Sequence, residues 1–187
     1  TGASLVRPYD DAWVIAGQGT VGLEIAEQCA ELGITPDAVL SPAGGGGLIA
    51  GTSLALEARL AGTNLYACEP EGFDDHRRSL ESGDRVANDA GPTSFCDALL
   101  ASIPGEMTFA INRDRLAGGF AVSDEEVAAA MAIAFTDLKI VVEPGGAVAL
   151  AAALAGRIKT RDRTTIVVTS GGNVDPVVFD QVLRNAG

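Results

Sequence analysis

The stretch that most constrains the fold is Ser41-Pro-Ala-Gly44-Gly45-Gly46-Gly47-Leu48-Ile-Ala-Gly51. Four consecutive glycines follow the apolar run Ala38-Val-Leu40 and precede residues at helical spacing. A chain that passes from strand to helix through glycines leaves backbone N–H groups at a helix N-terminus, where a phosphate can approach unhindered by Cβ atoms. Each glycine weakens the local chain by about 0.5–1 kcal/mol relative to alanine, so a purely structural turn accounts poorly for four in a row. No lysine follows in the nucleotide-loop pattern, which excludes a Walker-type loop.

Around this loop the apolar periodicity alternates. A helix is expected after Ala16-Gly-Gln-Gly-Thr20, with Thr20 as N-cap, apolar residues Val21, Ile25, Cys29 and Leu32, and a stop at Gly33. The strand before the glycines, a helix over about 48–60, a strand over 64–68 and a polar helix over about 74–81 follow. Residues 82–95 read as loop. Ser123-Asp-Glu-Glu126 is a capping box for a helix to about Leu138, and Glu143-Pro-Gly-Gly146 opens an alanine-rich helix to Ala155. A buried-type strand over 164–168 and a last helix over about 176–184 complete the series. Alternating strands and helices predict an α/β fold with an open, mostly parallel sheet covered by helices on both faces.

With 187 residues and 47% apolar composition the chain can bury a substantial core, and a net charge of −12 argues against nucleic acid or an anionic membrane as partner. Cys29, Cys68 and Cys96 lie far apart with no Cys-x-x-Cys pair, which excludes a disulfide scaffold or structural zinc and suits a cytoplasmic location. No apolar run approaches the ~20 residues of a membrane span, and no signal-peptide layout opens the sequence.

The glycine loop has a dinucleotide reading. Gly45 to Ala50 fits G-x-G-x-x-A, and Glu69 closes the next strand where it would meet a ribose, as in a nicotinamide-dependent oxidoreductase. Two further elements do not fit that plan. Ser170-Gly171-Gly-Asn173 also follows a strand, and Glu143-Pro-Gly-Gly-Ala147 opens a helix. A non-catalytic anion-binding domain is a third reading.

Taken in order, Ala16-Gly-Gln-Gly-Thr20, Pro42-Ala-Gly-Gly-Gly-Gly-Leu48, Glu69-Pro70 with Asp74-Asp75, Glu143-Pro144 and Ser170-Gly-Gly-Asn173 resemble the fold-type II pyridoxal-phosphate enzymes. The closest likeness is to the threonine dehydratase, serine racemase and threo-3-hydroxyaspartate dehydratase branch. The resemblance implies that Gly44, Gly45, Gly46, Gly47 and the Leu48 amide hold the phosphate of pyridoxal 5'-phosphate. It implies that Ser170, with Gly171 and Asn173 beside it, meets the pyridine nitrogen, a neutral partner that moderates the electron sink and suits β-elimination. Glu143 matches a position near the ring, or else carries helix N-terminal charge. Glu69, the Phe73 carbonyl and Asp75 match a site for Mg²⁺ or Ca²⁺, or else form an acidic helix N-terminus. His76, beside them, is expected to be exposed. Asp97 matches a segment that faces substrate.

The chain departs from the family pattern, which needs a Schiff-base lysine and an asparagine-containing substrate loop. The family's Schiff-base lysine sits in a Ser-Phe-Lys context, whereas Lys139 closes a helix and Lys159 lies in a charged loop. The resemblance therefore implies that residues 1–12 end a small domain and 13–187 form most of the large one. The amino-terminal portion with the lysine would lie outside the chain, and no regulatory domain is expected after Gly187. The complete enzyme would convert serine, threonine or 3-hydroxyaspartate to a 2-oxo acid and ammonia, or racemise serine, as a homodimer. The isolated chain would be inert.

Overall fold

The computed structural model describes residues 2–3 and 5–185, so Thr1, Ser4, Ala186 and Gly187 lie outside the described residues. Strand β1 (Ala38–Pro42) is buried along its whole length because it pairs on both edges, with β2 (Asn64–Pro70) and with β4 (Thr165–Val167). β3 (Gly118–Val122) pairs with the far edge of β2, giving the order β3-β2-β1-β4 with every pair parallel. The open parallel α/β sheet is the one expected.

A parallel sheet is stable only with both faces covered, and the two-residue alternation of the strands sorts the cover. Val39, Leu65 and Ala67 face Ile49 and Leu56 of α2 (Gly47–Arg59), with Ile25 of α1 (Ala12–Leu32) behind them. Leu40, Cys68 and Val122 face the opposite way, toward Met131 of α5 (Asp124–Thr136), Val148 of α6 (Pro144–Leu154) and Val182 of α7 (Pro176–Asn185). Two shorter helices, α3 (Asp75–Ser82) and α4 (Glu106–Asn112), and a single 3-10 turn (Asp97–Leu99) fill the connections.

The first helix starts earlier than expected. Its N-cap is Asp11, whose side chain accepts from the Trp13 and Val14 N–H groups, while Thr20 is interior and its hydroxyl donates to the Gly17 carbonyl. Of the two glycines that suggested the later start, Gly17 would carry a Cβ into open space, while a Cβ on Gly19 would lie 3.2 Å from the Gly51 carbonyl, because α1 and α2 cross closely here. A Cβ on Gly22 would lie 2.8 Å from the Thr52 carbonyl, and one on Gly51 would lie 2.2 Å from the Ile15 carbonyl. The end at Gly33 (φ 65°) and both halves of the Ser123/Glu126 capping box are as expected. α4 and β3 have no counterpart in the sequence reading; one is short, and the other is a half-buried edge strand that opens on two glycines.

All three cysteines are free and buried. Among the described residues no helix is long and apolar enough to cross a membrane.

Candidate active site

β1 ends at Pro42 and the chain turns through the glycines into α2. Gly46 is the N-cap, with φ 91° in the left-handed region; no side chain caps the helix and no acid lies in its first turn. The N–H groups at the head of a 13-residue helix therefore meet neither a capping oxygen nor a like charge, and they suit an anion. Neighbours pack too closely for any larger residue. A Cβ on Gly45 would lie 2.2 Å from the Tyr9 ring, and one on Gly46 would lie 2.5 Å from His76 Nε2. The loop's carbonyls turn toward α4. The Thr108 hydroxyl donates to the Gly45 carbonyl at 2.6 Å, the Gly105 N–H donates to it at 3.2 Å, and Asn112 Nδ2 approaches the Gly46 carbonyl at 3.5 Å. α4 is itself held by Asp10, whose Oδ1 accepts from the Met107 and Thr108 N–H groups.

The strand order brings the second loop alongside. From β1 the chain moves to β2 on one side, whereas β4 returns on the other, so the β1/β4 boundary is the switch point where open α/β sheets bind ligands. Leu40 is paired with Val167, and the residues that follow each strand emerge at the same edge. The Ser170 turn is tied down by Glu143. The Glu143 N–H donates to the Gly171 carbonyl at 3.0 Å, and its Oε2 accepts from the Asn173 N–H at 3.1 Å. A Cβ on Gly171 would lie 2.3 Å from Glu143 Oε1. Glu143 occupies the N-cap of α6 without capping it through its side chain, so the carboxylate's structural role is to hold the turn that presents Ser170. The 3-10 turn wedges between the glycine loop and the head of α6: Leu99 Cα lies 3.1 Å from a Cβ built on Gly44, and Ala98 Cβ lies 3.2 Å from one built on Gly145. That wedge carries Asp97, which is exposed, to the rim. Gly44 to Leu48, Glu143, Ser170, Gly171, Asn173 and Asp97 thus converge on one edge.

A second constellation lies beneath the glycines. Glu69 ends β2 with no exposure, and its oxygens accept from the His76 and Arg77 N–H groups at 2.9 Å each. It faces the head of α3 and is closed to a ribose, which removes the dinucleotide reading. Asp75 and His76 are equally buried, and ligand atoms of Glu69, Asp75 and His76 lie within 4.8 Å of one another. Phe73 sits in the turn between β2 and α3, its N–H donating to the Pro70 carbonyl. The expectation of an exposed His76 is wrong: the first turn of α3 points inward, and glycine at position 46 leaves the space its ring fills.

The charges there are uncompensated. Burial first, and then the Asp75 charge, push Glu69 well above the usual carboxylate range, with the two N–H bonds opposing. Burial lifts Asp75 to about 6 against the Asn88 amide, which donates to its Oδ1 at 2.7 Å. Burial lowers His76 to about 4. The nearest cations are engaged elsewhere. Burial pushes Asp74 up, but the Arg77 and Arg78 guanidinium groups bonded to it outweigh that and hold it below its ordinary value. Asp75 Oδ2 and His76 Nδ1 are left buried without a hydrogen-bond partner. Two orphaned donor atoms beside a buried carboxylate fit a divalent cation.

Neither lysine is at this edge. Lys139 Nζ donates to the Thr136 carbonyl at the end of α5, as a cation complementing the helix dipole does. Lys159 lines a cleft with Ala38, Asn64 and Thr165, at the opposite ends of the strands from the glycine loop. Sequence reasoning missed Tyr9, Asp10, Thr108, Asn112 and the burial of His76. Only the lone histidine next to two acids carried a signal.

Comparison with known proteins agrees with this geometry. The sequence profile of the pyridoxal-phosphate dependent enzyme family matches residues 1–171. The chain is 37% identical over 183 residues to a serine racemase of Dictyostelium discoideum, covering 96% of this chain and 55% of that protein. It is 39% identical over 175 residues to a beta-hydroxyaspartate dehydratase of Paracoccus denitrificans, covering 94% and 54%. The crystal structure of the T.th. threonine deaminase superposes with a TM-score of 0.87 at 44% identity, covering 93% of this chain and 58% of that one. The chain spans about half the length of the relatives it matches. With the matched profile running from residue 1 to Gly171, the chain belongs to the pyridoxal-phosphate dependent enzyme family, in its serine racemase, threonine dehydratase and hydroxyaspartate dehydratase branch.

Proposed function

We propose that this chain is the cofactor-gripping part of a pyridoxal-phosphate-dependent hydroxy-amino-acid dehydratase. Such an enzyme would release a 2-oxo acid and ammonia from serine, threonine or 3-hydroxyaspartate. The observation that carries the reading is the pairing, at one switch point, of an uncapped glycine-headed helix with the Ser170 turn braced by Glu143.

The chain's residues divide the work. Gly44 to Gly47 and the Leu48 amide bind the phosphate, because the head of α2 offers N–H donors and a favourable dipole. Ser170 presents a neutral hydroxyl to the ring nitrogen, and Gly171 and Asn173 keep that turn in place through Glu143. Asp97 faces the substrate from the rim. Bound pyridoxal phosphate supplies an electron sink for negative charge developing at the substrate Cα. A hydroxyl partner, which does not enforce a protonated ring, limits that sink and favours loss of a β-hydroxyl. Racemisation of serine is a second reading, favoured by the likeness to the Dictyostelium discoideum protein.

In this proposal residues 1–12 end a small domain and 13–187 form most of the large one. The Schiff-base lysine comes from an amino-terminal portion of the same enzyme, which acts as a cytoplasmic homodimer. The positions of Lys139 and Lys159 support that division, since neither approaches the crevice. Glu69 and Asp75, with the Phe73 carbonyl, hold a divalent cation such as Mg²⁺ or Ca²⁺.

The test compares the 187-residue chain with a protein that also carries the amino-terminal portion, each supplied with pyridoxal phosphate. Ammonia and 2-oxo acid release from the longer protein alone is the expected result. Turnover by the short chain, or none by either with all three substrates, would overturn the reading.

A further inference from the structure

The cluster beneath the glycine loop contains one donor that an oxygen-only cation site does not need. His76 has no exposure, and its Nδ1 has no hydrogen-bond partner. That nitrogen lies 3.7 Å from Glu69 Oε1. Two donors about 2.1 Å from a shared ion and separated by that span subtend about 120° at the ion, within the range that four- to six-coordinate sites tolerate. Asp75 Oδ2 is the other orphan, and all three residues offer ligand atoms within 4.8 Å of one another.

The far edge of the ring supports ligation at Nδ1. His76 Nε2 lies 3.3 Å from the side-chain amide of Asn112, whose Oδ1 is itself buried without a partner. The two ends of a carboxamide are interchangeable in placement. Turned over, Asn112 accepts from a protonated Nε2, and Nδ1 is left as the nitrogen with a free lone pair. A histidine ligand whose other nitrogen donates to a neighbouring oxygen is the usual arrangement at metal centres. The exchange gives the Asn112 oxygen a donor, and in return Nδ2 leaves its 3.5 Å approach to the Gly46 carbonyl.

We infer that His76 Nδ1 joins Glu69 and Asp75 as a ligand, so that this site takes a borderline divalent ion of the Mn²⁺, Co²⁺ or Zn²⁺ kind in preference to Ca²⁺. The inference rests on the cation reading proposed above. Two carboxylates and one neutral imidazole balance a dication, as a buried site requires. Calcium prefers six to eight oxygens, whereas imidazole shifts affinity toward the first-row transition metals. Ligation also fixes a ring that packs against Gly46, so an occupied site braces the phosphate loop from beneath.

His76 is the chain's single histidine, which makes the test direct. The untagged chain is prepared with ¹⁵N-histidine and with ordinary histidine, loaded with Mn²⁺ and examined by pulsed electron paramagnetic resonance. Calcium is then titrated against Mn²⁺ by calorimetry. The expected result is a directly coupled nitrogen whose signal changes with the isotope, and Mn²⁺ affinity about tenfold or more above that for Ca²⁺. In His76→Gln, with folding confirmed by circular dichroism, the nitrogen signal is lost and the preference narrows. Mn²⁺ binding that Glu69→Gln abolishes, but that shows no histidine nitrogen, overturns the inference and leaves an oxygen-only cation site standing. No divalent binding at all, with Glu69→Gln indistinguishable from the unaltered chain, overturns both.

Discussion

Gly46 and Gly33 both have positive φ, at 91° and 65°, yet they make different demands. A Cβ at Gly33 meets nothing within 4 Å, whereas one at Gly46 meets His76 and Thr108. Gly33→Ala should therefore cost only the left-handed strain, about 1 kcal/mol. Gly46→Ala should cost about 3 kcal/mol, because strain and steric conflict add. Urea denaturation of the two variants measures the difference, and equal losses would mean that the His76 contact is soft. Asp37 is a second informative residue. It accepts from Arg163 at 2.7 Å and from the Thr164 N–H at 2.8 Å, joining the starts of β1 and β4. The Arg163 hydrogen bond leads in holding its carboxyl below the ordinary 3.8. A carboxyl whose folded value is depressed contributes stability above its ordinary value and loses it as pH falls through the folded one. Asp37→Asn should thus melt lower than the unaltered chain at pH 7, and the gap should close in acid below about 3.8.

At the level of elements, ends matter more than interiors. The Ser123 hydroxyl accepts from the Glu126 N–H at 3.2 Å, and the Glu126 carboxylate accepts from the Ser123 N–H at 3.0 Å while also meeting Arg157 at 2.9 Å. Ser123→Ala should lower stability by about 1 kcal/mol, read as a lower thermal midpoint without loss of helical signal. α2 is built on the opposite plan. Its head has no side-chain cap, which leaves its N–H donors without a protein partner at some cost to the helix and is what the proposed phosphate site would use. α4 is the least self-sufficient element, with seven residues held by Asp10 at its head and pinned to the glycine loop by Thr108. It is legible only through those contacts.

Across the whole molecule the sheet separates two cores. Ile49 packs in one with Val39 and Leu56, and Met131 packs in the other with Leu40 and Val148. Ile49→Val should cost about 1 kcal/mol and Met131→Ala about 3 kcal/mol, and the double variant should lose their sum to within about 0.5 kcal/mol. A larger departure in denaturant titrations would show that strain passes through β1.

The parallel α/β architecture follows from the apolar runs at Ala38, Asn64 and Thr164 and from the helical patterns between them, since each pattern has one period and one face to bury. The glycine loop, the Ser170 turn and Glu143 were legible for the same local reason: glycine, proline and capping residues act within a few positions of where they stand. Tertiary structure alone decided the rest. Thr20 reads as an N-cap until α2 presses Gly51 against α1. Glu69 reads as a ribose ligand until α3 turns its N–H groups onto it. His76 reads as a surface histidine until it is seen beneath Gly46, because burial and an orphaned nitrogen are properties of neighbours that lie far away in the chain.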